Sequence, residues 1–364
     1  MDRERATDHT LYFEGDALYA DMLHAIDTAR ERVWMESYIF SADAVGRRFG
    51  AALARAARRG LDVRLHVDAL GSLFQLPTTF VTTLRRAGVR FRAFHRWSWR
   101  DPWRYNRRNH CKMLIVDHHR FFVGGFNIHR QSSARHYGRQ RWRDTHIALE
   151  DPSLTAHATG LFETFWQRRP PAWLRHRPPD PAVDGDLLIS NRLPSQRHAL
   201  SRLFHHGLGS ARVEILLTTP YFAPDRRTRR LLYAAAARGV TVHLLLPGVT
   251  DRWLLRMTAW HIYQRLLHRG VHIHEYRPRT LHAKTLVVDG NWATLGTANL
   301  DYRSLLHNYE INYVTRRAGI CSELSRQFGR DREEAETITR AHLPRRRWWE
   351  RLAGVIGWRF RHWL

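Results

Sequence analysis

Lysine is almost absent from this chain of 364 residues. It occurs only at Lys112 and Lys284, while the remaining 57 of the 59 basic side chains (59 − 2) are arginine. Cysteine is equally rare: Cys111 and Cys321 lie far apart and form neither a CxxC pair nor a zinc-type spacing. The sequence therefore argues against a disulfide framework and against a cysteine-based metal site.

Long hydrophobic runs and acidic residues are also scarce. No stretch approaches the ~20 apolar residues that a membrane-spanning helix needs, and the charged N-terminus does not resemble a secretory signal. Asp and Glu number 34 against 59 Lys and Arg, which gives a formal net charge of +25. Such a surplus predicts a polyanionic partner, either nucleic acid or an anionic membrane surface, and charge alone does not choose between them.

Both lysines occupy the same position in a repeated string. A lysine ammonium is a compact point charge, whereas arginine offers a broad planar fork, so the two are not interchangeable where a small anion is bound tightly. The repeat therefore predicts two equivalent half-sites for an anion. The pattern His-x-Lys-x4-Asp-x6-Gly-x-x-Asn occurs twice, with its side chains at His110, Lys112, Asp117 and Asn127 and at His282, Lys284, Asp289 and Asn299.

The duplication extends well beyond this string. The segment around Gly60 matches the one around Gly239, and the segment around Gly88 matches the one around Gly270. Each half alternates helical patterns with short apolar strands, which is typical of an α/β sheet covered by helices. Helices and strands are predicted near residues 17–31, 33–40, 44–59 and 61–68 in the first half, and near 196–208, 211–218, 225–238, 240–246, 251–269 and 271–276 in the second.

These patterns divide the chain into four parts. We expect a first half at residues 1–170, a proline-rich linker at 171–185, a second half at 186–335 and a basic aromatic tail at 336–364. Alternatively, the prolines of the linker belong to an ordered crossing loop.

The chemistry of the string depends on which side chains share a face. If residues 110–117 form a strand, as the apolar residues 113–116 indicate, His110 and Lys112 point to one face and Asp117 to the other. The second copy has the same parity. The two aspartates are therefore better placed to hold neighbouring structure than to touch a substrate.

Two such units facing each other would form a pocket suited to substitution at the phosphorus of a phosphodiester. Lys112 and Lys284, together with Asn127 and Asn299, would stabilise charge on the non-bridging oxygens. One histidine would attack phosphorus, and the other would protonate the leaving alkoxide and then deprotonate the incoming alcohol or water. This chemistry requires no metal or other cofactor.

A histidine used in this way needs an acceptor for its other ring nitrogen. Asp144 and Glu310 follow the two motif histidines by 34 and 28 residues (144 − 110 and 310 − 282), each at a predicted strand. We predict that these carboxylates orient the histidines. The alternative is that they are surface carboxylates on half-exposed strands.

The doubled string resembles the signature of the phospholipase D superfamily, and the resemblance covers about residues 15–330. It implies two tandem, pseudo-twofold-related α/β/α sandwich domains with a shared active site at their interface. It also implies a phosphohistidine intermediate, with His110 as the nucleophile and His282 as the general acid. Both motif lysines and both motif aspartates belong to the catalytic set that the resemblance implies.

The flanking segments are most similar to those of bacterial cardiolipin synthases of the shorter type, which lack N-terminal transmembrane helices. The similar segments include Phe122-Val-Gly-Gly-Phe-Asn127 and Thr219-Pro-Tyr-Phe-Ala-Pro224. The resemblance implies transfer of a phosphatidyl group between phospholipids by a peripheral protein at the cytoplasmic face of the inner membrane. Cys111 departs from the pattern, since arginine is expected between the histidine and the lysine.

Two segments favour a lipid surface as the partner. Residues 94–108 interleave tryptophan and tyrosine with basic side chains, a mixture that suits lipid headgroups but could also stack nucleic-acid bases. The C-terminal pattern predicts an in-plane membrane helix or, alternatively, a terminal helix packed on the protein's own core. Its apolar face follows three arginines at spacings of three and four and comprises Trp349, Leu352, Ile356, Phe360 and Trp363.

Other functions share the repeated string. A hydrolytic phospholipase D would release phosphatidate and alcohol, and a nuclease of the superfamily would cleave nucleic acid, which the charge of +25 would attract. Two motifs in one chain count against the nuclease, because the known short nucleases of this type have one motif per chain and dimerise. A non-enzymatic scaffold is disfavoured because both histidine–lysine pairs are intact.

Overall fold

Each half of the protein is built around a β-sheet whose middle strands are continuous apolar runs, such as Met-Leu-Ile-Val at 113–116. Strands that are buried on both faces need helices on both sides of the sheet. The computed structural model describes residues 8–95, 106–167, 180–181, 185–250, 252–342 and 348–360.

The first half alternates strands and helices up to residue 94 and then forms an antiparallel meander. Its elements are β1 (His9–Tyr12), α1 (Gly15–Thr28), β2 (Arg32–Ser37), α2 (Ala44–Arg58), β3 (Asp62–Asp68), α3 (Thr78–Arg86), β4 (Arg90–Phe94), β5 (Met113–Val116), β6 (Arg120–Gly124), α4 (Ala134–Tyr137), β7 (His146–Glu150) and α5 (Pro152–Trp166).

The second half repeats this order and ends in additional elements. They are β8 (Leu187–Ser190), α6 (Ala199–Ser210), β9 (Glu214–Thr218), β10 (Phe222–Ala223), α7 (Arg226–Ala237), β11 (Thr241–Pro247), α8 (Trp253–His268), β12 (His272–Tyr276), β13 (Thr285–Val288), β14 (Trp292–Gly296), β15 (Leu300–Asp301), β16 (Ile311–Thr315), α9 (Ala318–Glu333), β17 (Ala335–Ile338) and α10 (Trp348–Arg359).

The two large sheets share one strand order. It is β1-β7-β6-β5-β2-β3-β4 in the first half and β8-β16-β14-β13-β9-β11-β12-β17 in the second, where β17 extends the edge. The strands β2, β3 and β4 run parallel, as do β9, β11 and β12. The hairpins β5–β6 and β13–β14 are antiparallel and join these strands through β2 and β9. The repeat in the sequence is therefore a repeat of the fold.

One hydrophobic core joins the halves. It contains side chains from both sheets and from the two helices α5 and α9, among them Trp34, Phe162, Val287, Tyr313 and Phe328. Two further cores lie on the outer faces, one under α1 and α2 and one under α6, α7 and α8. The halves are thus α/β/α sandwiches with a continuous apolar contact between them, as expected from the sequence resemblance.

The predicted helices and strands all have counterparts within a few residues, with one informative error. The strand predicted from His110 begins only at Met113. Residues 110–112 lie before it and are not part of the β-sheet. In the second half β13 likewise begins after Lys284. The motif histidines and lysines therefore lie just before the first residue of a central strand, where the backbone is open to partners other than neighbouring strands.

Several predicted features fall wholly or partly outside the described residues. These are most of the linker at 171–185, the aromatic positions within 96–105, and the tail at 343–347 and 361–364. Among the helices that the structure describes, none is long and apolar enough to cross a bilayer.

Candidate active site

The residues just before β5 and β13 pair with the opposite half of the protein. Asn109 forms an isolated bridge with Tyr309, and Leu281 forms the equivalent bridge with Arg143. Both bridges follow the same repeat, so they place each motif against the other half in the same way. Backbone hydrogen bonds of 2.7–2.9 Å close them, from His110 N to Tyr309 O, Tyr309 N to Arg108 O, His282 N to Arg143 O and Arg143 N to Thr280 O.

These bridges bring each motif histidine to a carboxylate of the opposite half. Nδ1 of His110 lies 2.9 Å from Oε2 of Glu310, and Nδ1 of His282 lies 2.5 Å from Oδ2 of Asp144. All four side chains are buried. Donation from Nδ1 to a carboxylate fixes the neutral ring in the tautomer whose lone pair is on Nε2. Sequence spacing pointed to both carboxylates, but it did not reveal that each contacts the histidine of the other half.

The only two lysines of the chain are buried beside these histidines. Nζ of Lys112 donates to the backbone carbonyl of His110 at 2.7 Å. Nζ of Lys284 donates to the carbonyl of His282 and lies 3.6 Å from Oδ2 of Asp144. The electrostatic influence of Lys284 reaches both His110 and Lys112. The two motifs therefore form one cluster rather than two separate sites.

Burial changes the protonation of this cluster. Desolvation lowers the pKa of Lys112 to about 7, although Glu310 opposes the shift. Desolvation also lowers the pKa of His110, and the Lys112 ammonium adds to the effect. Burial alone would raise the pKa of Asp144, but Lys284 and His282 bring it to about 2. Near neutral pH the cluster thus holds a firmly ionised Asp144 and a Lys112 that titrates easily.

The two motif asparagines are buried in the turns that follow β6 and β14. Oδ1 of Asn127 accepts a hydrogen bond from the backbone N of Ile39 at 3.0 Å, so the Nδ2 donor of the same amide points away from Ile39. Nδ2 of Asn299 donates to Ser304 Oγ at 3.1 Å, while its Oδ1 has no hydrogen-bond partner among the described residues. Rotating the Asn299 amide by 180° would let Oδ1 accept from the Ser304 hydroxyl and release Nδ2 for a ligand.

The motif aspartates lie at the other end of the strands, away from the histidines. Each stands at a positive φ (51° and 52°) in the turn of its hairpin. The backbone donors lower the pKa of Asp117 although burial opposes this, so its carboxylate clamps the start of a parallel strand. Asp117 accepts from the backbone N of Arg30, Glu31 and Arg32, and Asp289 from that of Arg212, Val213 and Glu214.

Aromatic rings surround the histidines, and the sequence motifs did not point to them. The Tyr38 ring packs edge-on against His110 with centroids 4.8 Å apart, and Lys112 Nζ lies 5.4 Å from the centre of the same ring. The Trp142 ring lies 5.1 Å from that of His282. Tyr38 directly follows β2, and Trp142 lies two residues before Asp144. Proximity in sequence to a strand end or to a predicted site residue is the signal that could have found them.

A buried carboxylate supports the segment that holds His110. Glu36 accepts from Asn109 Nδ2 at 2.5 Å and lies 2.9 Å from His66 Nδ1. Its other oxygen pairs with the guanidinium of Arg192, which comes from the second half. Removing one partner of a buried ion pair of this kind strongly destabilises the fold. The position of the His110 segment therefore depends on a charge contributed by the other half.

Arg192 also bears on the unusual Cys111. The thiol is fully buried, Sγ lies 3.4 Å from Tyr309 O, and burial raises its pKa to about 12. The charge of the nearby Arg192 guanidinium opposes this rise in the pKa of the thiol. The resemblance to the superfamily implies an arginine at position 111. A guanidinium is present next to this position, but a distant part of the chain supplies it.

Comparison with known proteins agrees with this arrangement. A family described as "Cardiolipin synthase, PLD-like domain" matches residues 22–166 and 205–332, one segment in each half. The chain is 30% identical to a probable cardiolipin synthase of Bacillus subtilis over 89% of its own length and 66% of that protein's. It is 32% identical to cardiolipin synthase A of Pseudomonas putida, over 90% of its own length and 69% of that protein's. The chain therefore spans about two thirds of the length of these relatives.

Solved structures show the same fold at low sequence identity. Phosphatidylserine synthase of Haemophilus influenzae superposes with a TM-score of 0.72 at 12% identity, over 92% of this chain and 88% of the other. Polyphosphate kinase of Porphyromonas gingivalis superposes with a TM-score of 0.60 at 14% identity, over 89% of this chain and 50% of the other. These likenesses concern the fold alone.

The contacts of Asp117 predict a structural effect of its replacement. Asp117→Asn should lower the free energy of unfolding by about 1–2 kcal/mol, because charge-assisted bonds to three backbone donors are weakened. The pKa of Asp117 is lowered in the fold, so its contribution is present above the unfolded pKa of ~3.9 and is lost as pH falls through the folded value. Denaturant unfolding between pH 3 and 7 measures both effects.

The control for this variant is Asp27→Asn, at an exposed carboxylate that pairs with Arg55. It should change the free energy of unfolding by less than about 0.5 kcal/mol. Turnover per folded molecule should stay close to wild type in Asp117→Asn. Unchanged stability combined with lost turnover would instead place Asp117 in the reaction.

The lowered pKa of Lys112 predicts a pH-dependent anion affinity. Lys112 is cationic below about pH 7 and neutral above it, so an anion of constant charge should bind more tightly at low pH. If one proton on Lys112 is required, sulfate should bind about 10-fold more tightly at pH 6 than at pH 8. Calorimetric titration with sulfate measures this, and Lys112→Met should show weak binding with a smaller dependence. Equal wild-type affinities at the two pH values would contradict the assignment.

Proposed function

Because the chain belongs to the cardiolipin synthase family of phospholipase D-like proteins, we propose that it is a phosphatidyltransferase that makes cardiolipin. The substrates are two molecules of phosphatidylglycerol, and the products are cardiolipin and glycerol. The observation that supports this most directly is the crossed pairing of each motif histidine with a buried carboxylate of the other half. This pairing arranges two histidines and two lysines around one site at which a phosphodiester can bind.

In the first step, Nε2 of His110 attacks the phosphorus of one phosphatidylglycerol. The N–P bond forms as the bond from phosphorus to the glycerol oxygen breaks, and His282 gives its proton to that oxygen. Lys112 and Lys284 stabilise charge on the non-bridging oxygens. The lowered pKa of His110 keeps its ring neutral and nucleophilic. The ionised Asp144 stabilises the His282 imidazolium that acts as the acid.

In the second step, the free glycerol hydroxyl of another phosphatidylglycerol attacks the phosphohistidine. His282 takes the proton of this hydroxyl, the new O–P bond forms, and the N–P bond to His110 breaks. Both histidines return to their initial states. The assignment of His110 as nucleophile and His282 as acid follows the resemblance to the superfamily. Asn127 and Asn299 supply further donors to the phosphate oxygens.

The fate of the intermediate separates this function from its alternatives. Attack by water in place of the second lipid would make the protein a hydrolytic phospholipase D, which releases phosphatidate. The charge of +25 would also attract nucleic acid, so DNA binding alone does not test a nuclease. Cleavage of DNA without added metal, lost in His110→Ala, is the result that would favour a nuclease.

The product assay tests the proposed reaction. Purified protein incubated with phosphatidylglycerol vesicles should produce cardiolipin and glycerol in equal amounts, quantified by mass spectrometry. His110→Ala and His282→Ala should each lower turnover by at least ~100-fold. The first removes the nucleophile, and the second removes the group that transfers the proton. Acid-quenched wild-type protein should contain phosphorus on His110, and His110→Ala should not. Cardiolipin formation at normal rates by both variants would exclude the two-histidine reaction.

We place the protein at an anionic membrane surface, where its substrates are. The helix α10 supports this location. Its small residues Gly354 and Gly357 pack against α8, next to Met257 and Thr258, while another face is exposed. The packed face fits a terminal helix on the protein's own core, and the exposed apolar face supports the proposed membrane contact. The exposed side chains are Trp349, Leu352, Val355, Ile356 and Phe360.

Polar substitutions on the exposed face of α10 test this placement. The triple variant Leu352→Ser, Ile356→Ser, Phe360→Ser should reduce flotation with phosphatidylglycerol vesicles by at least ~10-fold, because burial of each such side chain stabilises binding by ~1.5 kcal/mol or more. Flotation in a density gradient measures binding, and Val213→Ser, at another exposed apolar side chain, is the control. Wild-type flotation of the triple variant would rule out α10 as a membrane contact.

A further inference from the structure

The loops that follow β3 and β11 each expose large apolar side chains. The first loop, residues 69–76, presents Leu73 and Phe74. The second loop, described at residues 248–250 and 252, presents Val249 and leads into Trp253, the first residue of α8. Phe74 is 96% exposed and Trp253 is 61% exposed. Large aromatic rings are normally buried in soluble folds, so rings held in solvent at two sites need an explanation.

The two loops occupy equivalent places in the repeat. Phe74 and Trp253 both come six residues after the last residue of their strand (74 − 68 and 253 − 247). Each loop also begins with the same backbone hydrogen bond to the neighbouring parallel strand, from Ala69 N to Phe94 O at 3.0 Å and from Gly248 N to Tyr276 O at 2.7 Å. The exposed rings are therefore a property of both halves and not an accident of one loop.

The first loop lies directly beside the candidate active site. Ser72 Oγ donates to the carbonyl of Tyr38 at 3.2 Å and accepts from Phe40 N at 3.0 Å. Gly71 fits only because it lacks a side chain, since a Cβ there would lie 2.3 Å from Tyr38 O. Tyr38 in turn packs against His110. Phe74 thus belongs to a loop that contacts Tyr38, and Tyr38 contacts the motif histidine His110.

The second loop lies at the same edge. Leu245 of β11 lies opposite Thr218 of β9, which lies opposite Thr285 of β13, the residue after Lys284. Arg252, the residue before Trp253, comes five residues after the end of β11 (252 − 247). Arg252 is itself exposed. The parallel strands β3 and β11 both end at the edge where the motif histidines lie, so the loops flank the shared site from its two sides.

The backbone of Phe74 adds an independent observation. Its φ is +63°, a conformation that is an outlier for a bulky side chain. Strain of this kind persists where the surroundings hold it, and it clusters at functional positions. Here the bonds of Ser72 and the close approach of Gly71 hold the loop. The strained residue therefore keeps its apolar ring turned outward.

We propose that Phe74 and Trp253 insert into the headgroup region of an anionic bilayer and hold the mouth of the shared site against the lipid surface. This inference rests on the proposed function, because a phosphatidyl donor keeps its acyl chains in the membrane during the reaction. The mouth must then meet the bilayer directly. Aromatic rings favour the interface, and basic side chains near an anionic surface add attraction, here Arg252 within a chain of net charge +25.

The α10 helix lies on the same part of the molecule. It packs along residues 254–261 of α8, the end that begins at Trp253, through Gly354, Gly357 and Trp358. Its exposed face and the two loops can therefore contact one bilayer together. Two loops and a helix at one edge define the orientation of the protein on the membrane, which a single anchor would not do.

Single labelled cysteines test the insertion. Both native cysteines are buried, so Phe74→Cys and Trp253→Cys can each be labelled with an environment-sensitive fluorophore. Adding phosphatidylglycerol vesicles should shift the emission of both labels to shorter wavelength. Val213→Cys is the matched control, because Val213 is exposed (67%) next to the opposite end of the sheet, just before β9. Its label should not respond.

The double variant Phe74→Ser, Trp253→Ser tests the consequence. Its affinity for phosphatidylglycerol vesicles should fall by ~10-fold or more, since both apolar rings that would be buried in the lipid are removed. The ratio of turnover on vesicles to turnover on monomeric short-chain phosphatidylglycerol should fall with it, and Val213→Ser should leave both unchanged. Cardiolipin formation with unresponsive labels and wild-type vesicle affinity would overturn the insertion while sparing the proposed function.

Two further outcomes are distinguishable. Responsive labels on a protein that releases only phosphatidate would contradict the proposed transfer reaction and support the insertion. Emission shifts that depend on protein concentration without any vesicles would assign the two loops to contact between copies of the chain, which also overturns the proposal.

Discussion

The architecture depends on a reciprocal exchange of backbone hydrogen bonds between the halves. The segment before each motif strand pairs with the residue that precedes the carboxylate of the other half, at Asn109–Tyr309 and at Leu281–Arg143. Without these bridges, each half would hold a histidine and a lysine with no carboxylate to orient them. The shared apolar core brings the sheets together, but the bridges set the register in which histidine meets acid. Function is therefore a property of the interface and not of either domain.

This interface buries charged side chains, which are paired across the halves. Arg192 of the second half pairs with Glu36 of the first, and Arg143 of the first half pairs with Asp331 of the second. Desolvation of such groups is unfavourable unless their partners are held in good geometry. The pairs thus link the stability of the interface to the correct position of the motifs. A separation of the halves would expose unpaired partners on both sides, so the structure favours a single docked arrangement.

The sequence predicted most of the fold, because a duplicated pattern of helices, strands and glycines is local information. It also led to the expectation that the motif aspartates hold neighbouring structure, although the parity argument behind it assumed a strand from His110 that begins only at Met113. It did not predict the crossed pairing, because His110 and Glu310 are 200 residues apart and no local periodicity records such a contact. It overestimated the motif strand for a related reason. Residues 110–112 resemble a strand in composition, but the backbone N of His110 donates to Tyr309 O of the other half.

The twofold repeat is imperfect, and the differences matter for the chemistry. A phosphodiester transfer needs one histidine as a neutral nucleophile and the other as a proton carrier, and differences between the half-sites can assign these two roles. Lys284 lies 3.6 Å from Asp144 and helps to keep that carboxylate ionised, and its Nζ also lies 2.7 Å from Nδ1 of His282. His110 instead packs against the Tyr38 ring, and burial lowers its pKa. The two histidines of the repeat therefore have different surroundings, although each is paired with a carboxylate of the other half.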